Sequence, residues 1–186
     1  MKVLRITLIS AASLLVLSCG AVVYSYNTRK PVEHAETYTQ KVTELSKYKV
    51  GKPTTQELLE LVNKERAKEG VKPLKLDTKL NATAQQKADD MVRYNYFGHV
   101  NPSSKLHGYQ LVFKANPGRC KTASENLELV TDGEPTSYWL MYDGGWVDSE
   151  QHYKSIVNEN YSTTGFGFAT GKDGKFYAVE HFCEVK

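Results

Sequence analysis

Gly165-Phe166-Gly167-Phe168-Ala169, Gly171-Lys172-Asp173-Gly174-Lys175 and Phe176-Tyr177-Ala178-Val179-Glu180-His181-Phe182-Cys183 form the stretch on which the fold turns. Two runs of aromatic and β-branched residues flank a glycine-rich, polar link, which is the pattern of a β-hairpin. Upstream the signals are helical. Thr54 and Glu57 have the spacing of a capping box, Leu58, Leu59 and Val62 give an apolar face, and Gly70 ends the helix. Pro73-Leu74-Lys75-Leu76 is a short extended link. Asp77 then caps a second helix, in which Leu80, Ala84, Ala88, Met91 and Val92 recur at helical spacing. That helix ends near Asn95 and delivers Phe97-Gly98-His99 to a loop. Tyr109 to Phe113 and Thr136 to Tyr142 read as further short helices, the second stopped by Gly144-Gly145. Helices first and strands late, with no βαβ repeat and no glycine-rich phosphate loop, indicate an α+β fold with a mostly antiparallel sheet.

The 186 residues, 40% hydrophobic and 11% aromatic, suffice for one compact domain plus a tail. They exclude collagen, low-complexity disorder and a polytopic membrane protein. Lys2, Arg5, Arg29 and Lys30 are the only charges in residues 1–30, which leaves 20 basic against 21 acidic residues in the rest of the chain. A nucleic-acid partner therefore has no electrostatic support.

Met1 to Arg5 is basic and Ile6 to Tyr26 is apolar, so residues 1–26 read as an export signal or an anchor. Leu15-Val16-Leu17-Ser18-Cys19 fits a lipoprotein signal in which Cys19 is lipidated. Equally, the apolar run of about 20 residues is long enough to cross a bilayer as an uncleaved helix. Both readings put the chain beyond residue 30 outside the membrane, because Lys2 and Arg5 favour an N-terminus held inside. Residues 27–53, rich in Thr, Lys, Glu and Tyr, read as a tether, and 54–186 as the folded domain. Outside the cytoplasm Cys120 and Cys183 are free to pair, at a gain on the order of 2–4 kcal/mol; the alternative is two buried thiols.

Asn63-Lys64-Glu65-Arg66, Gly70, Pro73-Leu74, Asp77, Leu80, Ala84 and Ala88 come first in a longer series. His99, Ser124-Glu125-Asn126-Leu127, Trp146-Val147-Asp148-Ser149-Glu150-Gln151-His152 and the Gly165-Phe166-Gly167 strand complete it. The ordered set closely resembles a bacterial SCP-like domain of the CAP superfamily, which comprises cysteine-rich secretory proteins, antigen 5 and pathogenesis-related 1 proteins. The resemblance runs from about Leu58 to Phe182. It implies a three-layer α-β-α sandwich and a cleft built by His99, Glu125 and His152. Where animal and plant members carry a second glutamate, this chain has Ser149. Neither Glu150 nor Glu180 can be placed in the cleft from the sequence.

Two imidazoles and a carboxylate can hold a divalent cation such as zinc, with a fourth position open to water or a ligand. The same trio suits acid–base work, a carboxylate orienting an imidazole that titrates near pH 6–7. His34, His107 and His181 have plainer readings in a tether, a loop and a strand. Trp139, Trp146, Tyr138 and Tyr142 read as core aromatics before they read as a ligand wall. Ser149 and His152 share a helix face at their spacing, which argues against a Ser–His nucleophile. The function these features support is a membrane-tethered extracytoplasmic protein whose His/Glu cleft binds a ligand or a divalent metal. Its partner would be a small ligand, lipid, peptide or cell-surface component. The alternative is a metal-dependent, protease-like hydrolase, with His99 and His152 as ligands and Glu125 as ligand or base.

Overall fold

Thr54 opens helix α1 (Thr55–Lys68) as its sequence suggests, with Thr54 Oγ1 accepting from Glu57 N at 3.2 Å. The other half of the expected capping box is replaced by a tertiary contact. Ser137 Oγ accepts from Thr54 N at 3.4 Å and donates to Glu57 Oε2 at 2.8 Å, so the cap is closed across 80 residues of chain. Gly70, at φ 69°, takes the left-handed turn that stops the helix, and Val71 N bonds back to Arg66 O at 2.9 Å. Asp77 Oδ1 caps α2 (Thr78–Arg93) through Lys79 N and Leu80 N.

The computed structural model describes residues 45–186, together with the backbone of Leu15–Val16 and Val22–Val23, which pair antiparallel. The anchor over 1–26, the lipidation at Cys19 and the start of the tether lie outside the described residues, apart from that pairing. Among the described residues no helix is long and apolar enough to cross a membrane. The main compact unit starts at Leu45, ahead of Thr54. Tyr48, on a 3-10 turn over Lys47–Lys49, is buried, and its hydroxyl donates to Glu60 Oε2 at 2.8 Å. The end of the stretch read as a tether thus packs on the domain. One isolated aromatic leaves no periodic trace in a sequence.

The remaining elements are α3 (Gly108–Ala115), α4 (Ser137–Tyr142), α5 (Glu150–Ile156) and strands β1 (Lys75–Leu76), β2 (Cys120–Val130), β3 (Thr163–Thr170) and β4 (Phe176–Val185). The sheet order is β1-β3-β4-β2. The expected hairpin is β3–β4, antiparallel with Gly165 opposite His181, and β2 adds antiparallel to β4 with Glu125 opposite His181. The short β1 runs parallel to β3, so the sheet is mixed, though mostly antiparallel. Strand β2 escaped the sequence reading because Lys121, Thr122, Ser124, Glu125 and Asn126 interrupt any apolar alternation.

Strand β4 is buried along both faces, which makes the molecule three layers thick. Its Phe176, Ala178 and Phe182 join Leu58, Leu61 and Val62 of α1, Leu140 and Met141 of α4 and Trp146 on one side. Tyr177 and Val179 meet Ala84, Ala88 and Met91 of α2 on the other. Trp146 is fully buried and stacks on Phe166 at 6.3 Å, which settles its role as core rather than ligand wall.

Cys120 and Cys183 form a disulfide that ties the start of β2 to the end of β4. It rests against Leu80 and Val112, in the angle between α2 and α3. Replacing both cysteines by alanine should lower the unfolding free energy by about 2–5 kcal/mol, read from urea denaturation. Thiol labelling of the native chain at these two positions should require reductant, and prompt labelling without it would contradict the pairing.

Candidate functional site

The alternation of β4 sends Glu180 towards α1 and His181 towards α2, and both are fully buried. On the α2 face a carboxylate joins two imidazoles. Glu125 Oε1 lies 2.9 Å from His99 Nδ1, and Glu125 Oε2 lies 2.9 Å from His181 Nε2. Behind His181 stands Thr83 of α2, its Oγ1 2.9 Å from Nδ1 and 3.0 Å from Leu80 O. Burial acts to raise the Glu125 carboxyl. The hydrogen bonds from His181 and His99, helped by the charge of Lys87, outweigh it and hold the group below the ordinary glutamate value. An ionised carboxylate only accepts, so the nitrogens facing it are N–H donors: Nδ1 of His99 and Nε2 of His181. His99 therefore presents an unprotonated Nε2 whenever it is neutral.

His99 is held from behind as well. Lys87 of α2, itself buried, donates from Nζ to Gly98 O at 2.7 Å, His99 O at 3.1 Å and Tyr96 Oη at 3.0 Å. Gly108 N donates to His99 O at 2.9 Å. Gly108 also lies so close to Glu125 that a Cβ there would fall 1.5 Å from Oε2, so the start of α3 is glycine because the carboxylate occupies the space. The His99 side chain is 52% exposed. It lines an open groove of about 670 Å³ with Gly98, Val100, His107, Tyr109, Ala123, Ser124 and Glu125. His107, given a plain loop reading from sequence, is thus part of the groove wall.

His152, near the start of α5, lies on the other side of the edge strand β2, where Asn126 Nδ2 donates to its carbonyl at 3.2 Å. Its Nδ1 is buried with no partner among the described residues. Burial holds its pKa below the ordinary histidine value, and the charge of nearby His99 adds to the effect. Of the expected trio, His99 and Glu125 bond directly, and His152 stands within electrostatic reach of His99 without touching Glu125. Glu150 is exposed and pairs with Lys154 at 2.6 Å. Ser149 stands at the N-cap position of α5, where its side chain makes no capping hydrogen bond and none to His152 among the described residues. The members that sequence reasoning missed are His181, Thr83, Lys87 and Gly108.

Glu180 lies beneath the site on the α1 face. Its Oε1 is 3.0 Å from Thr164 Oγ1 and its Oε2 3.5 Å from Asn126 Nδ2. Burial raises its pKa to about 8 against these two hydrogen bonds and the charge of Arg66. A folded pKa above the ordinary 4.5 means that the native state holds this proton after the unfolded chain has lost it. Stability then falls as pH rises from about 4.5 to about 8 and levels off above. Glu180→Gln should flatten that slope and stabilise the protein above about pH 8 by on the order of 2–4 kcal/mol. Urea unfolding at about pH 5 and about pH 9 measures it. An unchanged slope would show that Glu180 titrates in the ordinary range.

The family profile of cysteine-rich secretory proteins, CAP, matches residues 59–182, which include every residue of this cleft. The chain belongs to the CAP family. Over 112 residues this CAP chain is 36% identical to the uncharacterized protein YkwD of Bacillus subtilis, an alignment covering 60% of this chain and 40% of YkwD. It is 30% identical over 131 residues to the uncharacterized membrane protein YlbC of the same organism, covering 69% of this chain and 34% of YlbC. The chain therefore spans well under half of either relative. Among solved structures, an outer surface protein of Borrelia burgdorferi superposes with a TM-score of 0.60 at 17% identity, over 70% of this chain and 92% of that one. That likeness supports the three-layer CAP fold and says nothing more.

A CAP cleft raises the question of a cation. Among the described residues no group of three or more His, Cys, Asp or Glu side chains is arranged to hold one. Both oxygens of Glu125 are bonded to imidazoles. Two imidazoles without a free carboxylate fall short of the three protein ligands of a catalytic zinc site. As placed, the residues do not fit the ion.

Proposed function

We propose that this CAP protein is a membrane-tethered, extracytoplasmic binding protein whose cleft takes a small ligand or peptide at His99. The observation that carries the reading is the exposed His99 imidazole, fixed through Nδ1 by buried Glu125 so that Nε2 is left for a ligand. The wall beside it is apolar and exposed, with Val100 and Tyr109 lining the groove. A ligand with an O–H or N–H to give to Nε2 and an apolar body suits these surroundings. The location is supported by the basic, then apolar N-terminus. The description of YlbC as a membrane protein agrees with it.

The test places a photoreactive residue at Tyr109 of the intact chain in its own cells. Irradiation should give a covalent adduct, and His99→Ala in the same chain should remove it. An adduct indifferent to His99→Ala would move recognition away from this cleft.

One observation favours a hydrolase as the second reading. A carboxylate-held imidazole with a free Nε2 is the arrangement of a general base, able to take a proton from water or a hydroxyl in the groove. In that case the captured molecule is turned over, and Glu125→Gln abolishes turnover while the adduct at residue 109 persists.

A further inference from the structure

The resemblance to CAP domains leads one to expect Glu125 as a cation ligand, and the carboxylate is instead fully engaged by protein. We propose that His181, oriented by Thr83, occupies the place at Glu125 Oε2 that a cation would need, so that the cleft of this chain is built to work without a metal. The inference deepens the binding reading, since it concerns the same His99–Glu125 pair, and it says what the ligand contacts: an imidazole, not a metal centre.

Five features support it. His181 is fully buried and has no exit to solvent, so its N–H is a fixed part of the protein interior rather than a contact made in passing. Its Nε2 meets Oε2 at the same 2.9 Å at which His99 meets Oε1, which leaves no oxygen of Glu125 without an imidazole donor. Thr83 holds the far nitrogen at 2.9 Å from a helix that packs directly on β3, so the ring cannot swing aside without moving α2. Gly108 stands against the same oxygen, since a Cβ there would fall 1.5 Å from Oε2. Lys87, anchored on the His99 carbonyl, adds a positive charge that favours the ionised form of Glu125.

Removal of the His181 donor should free Oε2 and convert the cleft into a weak metal site made by Glu125 and His99. Calorimetric titration of zinc chloride into the intact chain near neutral pH is the test, with circular dichroism confirming the fold of each variant. His181→Ala, which vacates the space as well as removing the donor, should bind zinc with an affinity on the order of tenfold or more above that of the unaltered chain, and adding Glu125→Gln should cancel the gain. Thr83→Val, which keeps its volume and loses the hydroxyl, should move zinc affinity the same way by about severalfold if His181→Ala fails to fold. In the unaltered chain, nitrogen-15 spectra of His99 should show the Nδ1–H tautomer.

Tight one-to-one zinc binding by the unaltered chain that is lost in His99→Ala and unchanged in His181→Ala would overturn the inference. So would unchanged zinc affinity in a folded Thr83→Val, or an Nε2–H tautomer at His99. None of these outcomes bears on the adduct at residue 109, so the metal-free cleft and the binding function can fail separately.

Discussion

Gly167→Ala should cost on the order of 3 kcal/mol or more and weaken the cleft at the same time. A Cβ at Gly167 would lie 2.1 Å from Gln85 N and 2.2 Å from Ala84 C, and one at Gly165 would lie 2.3 Å from Asn81 N. These are backbone atoms of α2, and no side chain can turn away to make room. The helix is also stitched to the strand. Asn81 Oδ1 accepts from Phe166 N at 2.8 Å, Gln85 Oε1 accepts from Phe168 N at 3.1 Å, and Gln85 Nε2 donates to Phe168 O at 2.7 Å. Two side-chain amides thereby act as the neighbour that β3 lacks along this edge. Inserting a methyl either strains the backbone or lifts α2, and the usual cost of overpacking, about 1–3 kcal/mol, is then joined by lost hydrogen bonds. Because α2 carries Thr83 and Lys87, its displacement should also broaden the ring signals of His181 and His99. Urea unfolding gives the stability and histidine NMR the local effect. A loss below about 1 kcal/mol with unchanged ring signals would mean that α2 yields at little cost.

Arg66→Leu should be about as damaging, at roughly 3–5 kcal/mol. The guanidinium is fully buried, and its partners are backbone carbonyls. Nε donates to Lys72 O at 2.7 Å, Nη1 to Ile156 O at 2.7 Å and Asn158 O at 2.9 Å, and Nη2 to Tyr161 O at 3.1 Å. One planar fork thus satisfies the end of α5 and the two loops that frame β1 and β3. Leucine fills part of the volume and leaves those carbonyls without donors, each at a cost of about 1–3 kcal/mol where no water reaches. Arg66→Lys should recover less than half of the loss, since a single ammonium cannot span four acceptors spread around a plane. Removing the charge should also raise Glu180 further, steepening the fall of stability with pH, because Arg66 now favours its ionised form. Equilibrium unfolding of the two variants decides the matter, and a Lys variant as stable as the original would refute the geometric argument.

The parts of the fold that were legible share one property: their signal is local. Thr54, Asp77 and Gly70 announce helix ends because capping is settled within four residues of chain. The β3–β4 hairpin shows because its turn is short and both arms are rich in strand formers. Strand β2 and Tyr48 were illegible for the opposite reason. The polar residues of β2 are matched by partners far off in sequence, Glu125 by His99 and His181, and Asn126 by Glu180 and the His152 carbonyl.

The candidate site divides along the same line. The ordered motifs were enough to single out His99, Glu125 and His152 and to assign the chain to the CAP family, because identities at fixed order survive in sequence even where distances do not. Which of the three would touch, and which strangers would join them, was decided by the register of β4 against β2 and by the seating of α2 on glycines. Register sets Glu125 opposite His181, and a shift of one residue would have brought Glu180 or Phe182 there instead. The sequence by itself determined the helices α1 to α4, the β3–β4 hairpin, their order and the chemistry available. The tertiary structure alone decided that the carboxylate is shared between two imidazoles and backed by a buried lysine, since hydrogen bonds over 26 and 56 residues of separation exist only after the sheet has closed.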